Sequence, residues 1–326
     1  MRMSNLKILV AAVVFGALVS GSLPTSAQNL DLQARPQVCD DPTNNMTLFA
    51  ERIGKRKIGY GLTPESASIP GPTIEMTEGE CLTVTLVNDT DKSLGMHAHG
   101  VAYTVASDGT PLNKSCVAPG RSRSYAFLAT PPATRTDGSV DPGSAGYWHY
   151  HDHCMGTPHG TAGIAAGLFG ALIVRKASDP QPVKTFVVVM SERFINLKKA
   201  PNTPTFEANE GERVEFAVIG HGELFHTFHL HGHRWVDNRN GIPSGLADST
   251  RLIDNKTLGP AESFGFQVIA GEHVGPGAWM YHCHVQGHSD AGMSGIFMVK
   301  TPGGALTDAG RKGLREFRRS HVGRHH

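Results

Sequence analysis

Apolar and polar side chains alternate over short runs along much of this chain, as in Cys81–Val87 and Arg213–Val218, between turns rich in Gly, Pro and Asp. Period-two alternation turns one face of an extended segment inward and the other outward. Breakers at such close spacing leave little room for long helices. The pattern predicts an all-β chain of short antiparallel strands arranged in sandwiches. Helix is expected only as short turns around Ala305–Phe317. One apolar run does not alternate: Ile8–Val19 follows Arg2 and Lys7 and precedes Thr25-Ser26-Ala27. Its 12 residues are too few to span a bilayer and have the layout of a secretory signal peptide over residues 1–27. No Arg-Arg pair lies near the start, so general export to the periplasm or exterior is expected, and no other stretch is apolar enough for a membrane span.

The alternation comes in two copies. Residues 70–88, PGPTIEMTEGECLTVTLVN, match 203–220, TPTFEANEGERVEFAVIG, with Glu78-Gly79-Glu80 on Glu210-Gly211-Glu212 at an offset of 132. His97 and His99 map onto His229 and His231 at 132, and His149 and His151 onto His282 and His284 at 133. GLFGALIV (167–174) matches GIFMV (295–299). Landmarks held in one register imply a duplicated structural unit. The expected division is 28–178 and 179–302, joined by a polar, Pro-containing link near Lys176–Val183, with residues 303–326 as a tail.

The densest chemistry lies in WMYHCHVQGHSDAGM, residues 279–293. On a strand, His282 and His284 point to one face and Cys283 to the other, so one strand would serve two metal sites back to back. A thiolate, two imidazoles and a weak thioether form the ligand set of a blue-copper electron-transfer centre. Cys283, His288 and Met293 supply three of these. His226, an odd step before His229, faces away from His229 and His231 and completes the set. The four HxH pairs each put two imidazoles on one strand face, and neutral imidazole suits copper. An isolated HxH is usually a surface feature; four in register with a duplication are a metal-binding pattern.

Composition adds little to this and excludes some alternatives. The 38 Gly and 20 Pro suit a turn-rich β protein. The formal charge is +1; setting aside +4 in residues 301–326 and +2 in residues 1–27 leaves the body at −5, which offers no footprint for nucleic acid. The basic, His-containing tail is expected to be solvated, with copper capture or surface adhesion as the alternative. With Cys283 assigned to metal, Cys39, Cys81, Cys116 and Cys154 remain. They allow three pairings, among which the sequence does not choose, and one or two disulfides are expected in an oxidising compartment.

HAHG (97–100), WHYH (148–151), HTFHLHG (226–232) and HCHVQGHSDAGM (282–293) resemble the four copper motifs of multicopper oxidases. With two domains, the chain resembles the two-domain bacterial laccases over roughly residues 43–300. The resemblance implies two cupredoxin-like Greek-key β-sandwich domains in tandem, with type 1 copper in the second and four coppers per chain in all. It assigns His97 and His229 to type 2 copper, and His99, His149, His151, His231, His282 and His284 to the type 3 pair. His226, Cys283, His288 and Met293 hold type 1. It further implies a homotrimer in which domain 1 of one subunit meets domain 2 of its neighbour. The implied reaction is one-electron oxidation of phenols or similar donors, coupled to reduction of dioxygen to water. Asp108 matches an acidic residue near the cluster and is expected to donate protons. Tyr103 matches a tyrosine beside the type 2 copper. Asp254 is expected near the type 1 copper, taking phenolic protons. Each also fits an ordinary role, a turn Asp or a half-buried Tyr. His153 and His159 are candidate hydrogen-bond partners of the ligands, whereas His221, His233 and His273 read as ordinary core or surface histidines.

Three rival functions share parts of this pattern. Copper nitrite reductases also build trimers from two such domains but hold the blue copper in the first, where this chain has Tyr150 and no thiolate between His149 and His151. Metallo-oxidases of cuprous or ferrous ions tend to carry Met-rich segments; the ten Met here are scattered. A simple copper electron carrier would need one domain and leave the eight paired histidines without purpose.

Overall fold

The computed structural model describes residue 39 and residues 42–321; the expected signal peptide lies outside the described residues. The first half contains β1 (Asn44–Arg52), β2 (Ile58–Gly61), β3 (Ile74–Thr77), β4 (Cys81–Asn88), β5 (His97–Ala98), β6 (Ser122–Leu128), β7 (Gly146–His151) and β8 (Phe169–Arg175). They form two four-stranded sheets, ordered β2-β1-β4-β6 and β3-β8-β7-β5. The second half contains β9 (Lys184–Ser191), β10 (Phe194–Ile195), β11 (Thr205–Asn209), β12 (Arg213–His221), β13 (His226–Leu230), β14 (Asn255–Leu258), β15 (Ser263–Ile269), β16 (Gly277–Cys283) and β17 (Ser294–Lys300). Their sheets are β10-β9-β12-β15 and β11-β17-β16-β13-β14. The architecture is all-β and cupredoxin-like, and the second pair of sheets repeats the first with β14 added as a fifth strand beside β13. Even single bonds recur: Tyr150 Oη donates to Pro72 O and Tyr281 Oη to Pro204 O, both at 2.7 Å.

The sheets are mixed rather than purely antiparallel. β1 runs parallel to β4, β3 to β8, β9 to β12 and β11 to β17. Alternation reports which face is buried and is blind to strand direction; parallel neighbours arise here because the chain crosses between sheets before returning.

Each sandwich has its own core. In the first, Leu48, Tyr60, Val84, Tyr125 and Phe127 are buried, and in the second Phe216, Phe228, Phe266 and Phe297. A third apolar cluster joins the halves: Tyr147, Phe169, Ala171 and Ile173 pack against Val189, Ala217 and Ile219. This explains why β8 is buried on both faces and β12 at every position after Arg213. Within the third cluster's layer, Glu215 is fully buried and accepts hydrogen bonds from Arg175 Nη1 (3.0 Å) and Nη2 (2.5 Å), Tyr147 Oη (2.8 Å) and Thr185 Oγ1 (2.7 Å).

The link between the halves is tied down by Asp179, which accepts Lys176 N–H at 2.9 Å and Arg239 Nη1 at 2.7 Å. Burial pushes the Asp179 carboxyl up, but the hydrogen bonds from Arg239 and Lys176 outweigh it and the pKa is lowered. Such a group stabilises the fold fully above the unfolded carboxyl pKa, about 3.9, and that contribution is lost as pH falls through the lower folded value. Asp179→Asn should therefore lower the melting temperature at pH 7 and leave it nearly unchanged at the acid end, below both pKa values. An equal loss at both pH values would exclude this linkage.

Two disulfides, Cys39–Cys81 and Cys116–Cys154, settle the pairing that spacing left open, and Cys283 is a buried free thiol. The expectation of a solvated tail with only short turns is corrected: Asp308–His321 is a 14-residue helix. Leu314 and Phe317, three apart on the helix, pack with Leu306 just before it on Ala278, Met280, Ile296 and Met298 of β16 and β17. The high charge of the segment hides a narrow apolar stripe that matters only once a sheet face is there to receive it. Among the described residues no helix is long and apolar enough to cross a membrane.

Candidate metal centres

β16 carries the thiol and the paired imidazoles on opposite faces. Cys283 belongs to the domain core and is fully buried, whereas the rings of His282 and His284, 5.2 Å apart, lie on the other side with His229. On the sulfur side, Cys283 Sγ stands 3.8 Å from His226 Nδ1 and 3.7 Å from His288 Nδ1. Met293 is fully buried and returns its backbone to this point, Cys283 N–H donating to Met293 O at 3.0 Å and Met293 N–H to His288 O at 3.1 Å. On the imidazole side, His229, His231 and His282 form one group of potential ligand atoms within 4.8 Å of each other. His231 Nε2 and His282 Nε2 face each other at 3.1 Å.

Domain 1 builds a matching histidine cluster. His97, His99 and His151 form a second such group, His99 Nε2 stands 3.1 Å from His151 Nε2, and the His149 ring stacks on His99 with centroids 4.0 Å apart. The supports are equivalent in both halves once His151 is set on His282, rather than His149 as the sequence offset of 133 suggests. The ladders pair His97 with His151 and His229 with His282, an offset of 131, and Met280 stands at the position of His149. His97 Nδ1–H donates to Asp108 O (2.7 Å) and His229 Nδ1–H to Asp254 O (2.8 Å). His151 and His282 each donate Nδ1–H to the next carbonyl, of Asp152 and Cys283, at 2.8 Å. These bonds leave each Nε2 lone pair free to face its cluster, the arrangement that orients metal-ligating histidines. Gly100 and Gly232, with φ of +76° and +72°, end the paired motifs; a Cβ at Gly100 would lie 2.1 Å from the Trp148 ring, so only glycine turns the chain there.

The side chains are chemically ready for a cation. Burial lowers the pKa of His99 to about 4 and of His226 to about 4, and holds His149 and His151 well below the ordinary value, with charge repulsion from neighbouring histidines adding to it. Neutral imidazoles present free lone pairs. Both ring nitrogens of His149 and Nε2 of His226 are buried without a hydrogen-bond partner. Orphaned nitrogens of this kind are costly unless something coordinates them. A buried thiol between two imidazoles suits copper, and imidazole-only groups suit copper or zinc. The residues fit copper better than any oxygen-liganded metal.

Of the expected site residues, Asp108 and Tyr103 lie beside His97. Asp108 Oδ1 is 3.5 Å from His97 Nδ1, its Oδ2 is held by Asn113 at 2.6 Å and by Thr110, and the Tyr103 ring meets His97 edge-on at 6.0 Å. Asp254 is not where it was expected. It sits beside His229, with Oδ1 3.8 Å from Nδ1, on the face of β13 opposite His226. Asp254 lies one residue before β14, outside the ladder with β13, so strand alternation does not set the side on which it lies. His153 lies 5.1 Å from His97 and 5.6 Å from His159, ring to ring. Among the described residues, no ring contact or candidate ligand group mixes the domain 1 quartet with the domain 2 quartet.

Three supporting residues had no distinctive motif. His233, read as ordinary, donates Nδ1–H to His231 O at 3.0 Å and accepts Gly271 N–H at Nε2, also at 3.0 Å, which fixes its tautomer and the His231 backbone. Asp152, fully buried, accepts Gly95 N–H (2.7 Å) and Met155 N–H (2.8 Å) and shapes the loop after His151. His221, also read as ordinary, is buried against His149 and His151. Position relative to a ligand, not residue type, marks all three.

Two family models match, both described as multicopper oxidase, one over residues 66–179 and the other over residues 175–303. A probable nitrite reductase-hydroxylamine oxidoreductase fusion protein of Kuenenia stuttgartiensis is 34 % identical over 74 % of this chain and 29 % of its own length. Laccase-7 of Arabidopsis thaliana is 27 % identical over 46 % of this chain and 24 % of its own. The chain thus spans less than a third of the length of these relatives. Among solved structures, the blue copper oxidase of Nitrosomonas europaea is 25 % identical with a TM-score of 0.57, covering 79 % of this chain and 86 % of that one.

Proposed function

Because the chain belongs to the multicopper oxidase family, we propose that it is a laccase-type oxidase, coupling one-electron oxidation of phenols to four-electron reduction of dioxygen to water. The observation that carries this reading is β16, where the Cys283 thiol and the His282 and His284 imidazoles occupy opposite faces of one strand. Copper ions, when bound, supply the one-electron redox chemistry and oxygen activation that no side chain here offers. His226, Cys283, His288 and Met293 would hold type 1 copper; His97 and His229 would hold type 2; His99, His149, His151, His231, His282 and His284 would hold the type 3 pair.

The protein's own part is placement. Cys283 and Met293 are sealed from water, while His288 is part-exposed and offers the edge that a reductant reaches. Only one residue of backbone separates the sulfur from the imidazoles of the other centre. The two histidine quartets lie apart within one chain, which supports a homotrimer in which domain 1 of one copy meets domain 2 of the next. Two disulfides suit an oxidising compartment and support export by the segment 1–27.

Asp108, with its Oδ1 toward His97 and its Oδ2 held by Thr110 and Asn113, is placed to pass protons to the oxygen-reducing side. Asp108→Asn should slow reoxidation of the reduced enzyme by dioxygen roughly 10- to 100-fold while leaving its reduction by a phenol within about twofold. Equal slowing of the two half-reactions in stopped-flow would remove Asp108 from this role.

The Kuenenia relative favours one second reading, nitrite reduction. Against it stand the eight paired histidines and Tyr150, whose hydroxyl is committed to Pro72 O in the core where a domain 1 thiolate would be required. Copper content and steady-state rates on one sample decide between them. About four coppers per chain with oxygen uptake driven by phenols supports the oxidase; turnover with nitrite, or with ferrous ion alone, refutes it.

A further inference from the structure

We infer that His221, in domain 2, is the orienting partner of His149, in domain 1 of the same chain. The inference rests on the copper reading above and adds a positioning residue to it. Odd-numbered residues of β12 face domain 1, and odd-numbered residues of β7 face domain 2. Glu215 meets Tyr147 at one end of this contact, and His221 meets His149 and His151 at the other. The His221 ring is nearly edge-on to His149, with centroids 5.0 Å apart and planes at 89°, and lies 5.4 Å from His151.

His149 differs from its neighbours in what holds it. His97, His151, His229 and His282 each donate Nδ1–H to a backbone carbonyl. Neither nitrogen of His149 has a partner, and both are buried. Whichever of them takes a metal, the other needs a group that fixes the ring. His221 Nε2 is likewise buried and unpartnered against that same ring. A turn of either ring about χ2 that brings the N–H of one into the plane of the other's lone pair closes a hydrogen bond, which the 5.0 Å centroid separation allows. A histidine kept only for packing would carry the penalty of an unbonded buried nitrogen with nothing in return, since an apolar ring would fill the space.

His221→Phe and His221→Gln, as full chains with and without copper, test this. In chelator competition, His221→Phe should lose roughly 10- to 100-fold in affinity for the coupled copper pair, with a weakened near-ultraviolet band and unchanged blue absorbance. The copper-free His221→Phe protein should melt at the same temperature as wild type or higher, and His221→Gln, which keeps a donor and an acceptor, should recover part of the lost affinity. Wild-type copper affinity in His221→Phe overturns the inference alone. So does a lower melting point of its copper-free form, which would mark His221 as a packing residue. A wild-type chain that never binds the coupled pair overturns the oxidase reading as well.

Discussion

Cys283→Ser should abolish the blue absorbance, lower copper from about four to about three per chain, and reduce phenol oxidation by at least about 10³-fold, the scale of losing one member of an interdependent unit. Cys283 is the single free thiol among the described residues. A serine hydroxyl is a far weaker acid than a thiol, stays protonated at neutral pH and leaves His226 and His288 without the charged ligand that a blue centre requires. The fold should survive, because the substitution removes no volume from the core beyond the difference between sulfur and oxygen. The other face of β16 should still load copper, since its ligands His282 and His284 are oriented by bonds that do not involve the Cys283 side chain. Visible spectroscopy with metal analysis reads the result directly. A serine variant that stays blue would refute the assignment of the thiolate.

Glu215→Ala should cost about 3–5 kcal/mol of stability, because it leaves a buried guanidinium without its counter-charge. Arg175 is 7 % exposed and its remaining carboxylate partner, Glu75, is 46 % exposed, so rescue from that side is weak. Tyr147 and Thr185 also lose the acceptor for their hydroxyls. The pair Glu215→Leu with Arg175→Met should recover most of the loss, since a well-packed apolar pair can replace a buried ion pair. Tyr147 lies two residues before His149 on the same face of β7, so the single variant should also slow copper loading of the domain 1 half-site. Denaturant unfolding of copper-free protein measures the first effect; a loss under about 1 kcal/mol would mean that Glu215 is not buried in solution as it is here.

Much of the site was legible in the chain because strand parity is a local property. Cys283 between two histidines, and His226 an odd step from His229, need only a period of two to separate into faces. Duplication then lent weight to motifs that are weak alone: the pairs His97/His99 and His229/His231 share one register with the two EGE turns, whereas the ladders set His151, not His149, on His282. Asp254 shows the limit of such reasoning. Its neighbours in sequence say only that a turn is near; it lies one residue before β14, outside the ladder that sets His229 opposite Asn255, so strand parity does not place its side chain beside His229. His221 and His233 carry no motif either, and their significance comes from what the fold lays against them. The C-terminal helix is not legible in the chain, because its two packed apolar side chains, Leu314 and Phe317, mean nothing until β16 and β17 present a matching face.

By itself, the sequence determined the strand-rich class, the twofold repeat and the division of ligands between two faces of β16, because alternation and spacing are properties of neighbouring residues. Tertiary structure alone decided the disulfide pairing, the parallel ladders, the side of the strand on which Asp254 lies and the burial of Glu215 and His221 between the domains. These depend on contacts between segments far apart in the chain, and a linear pattern carries no information about which distant surfaces will meet.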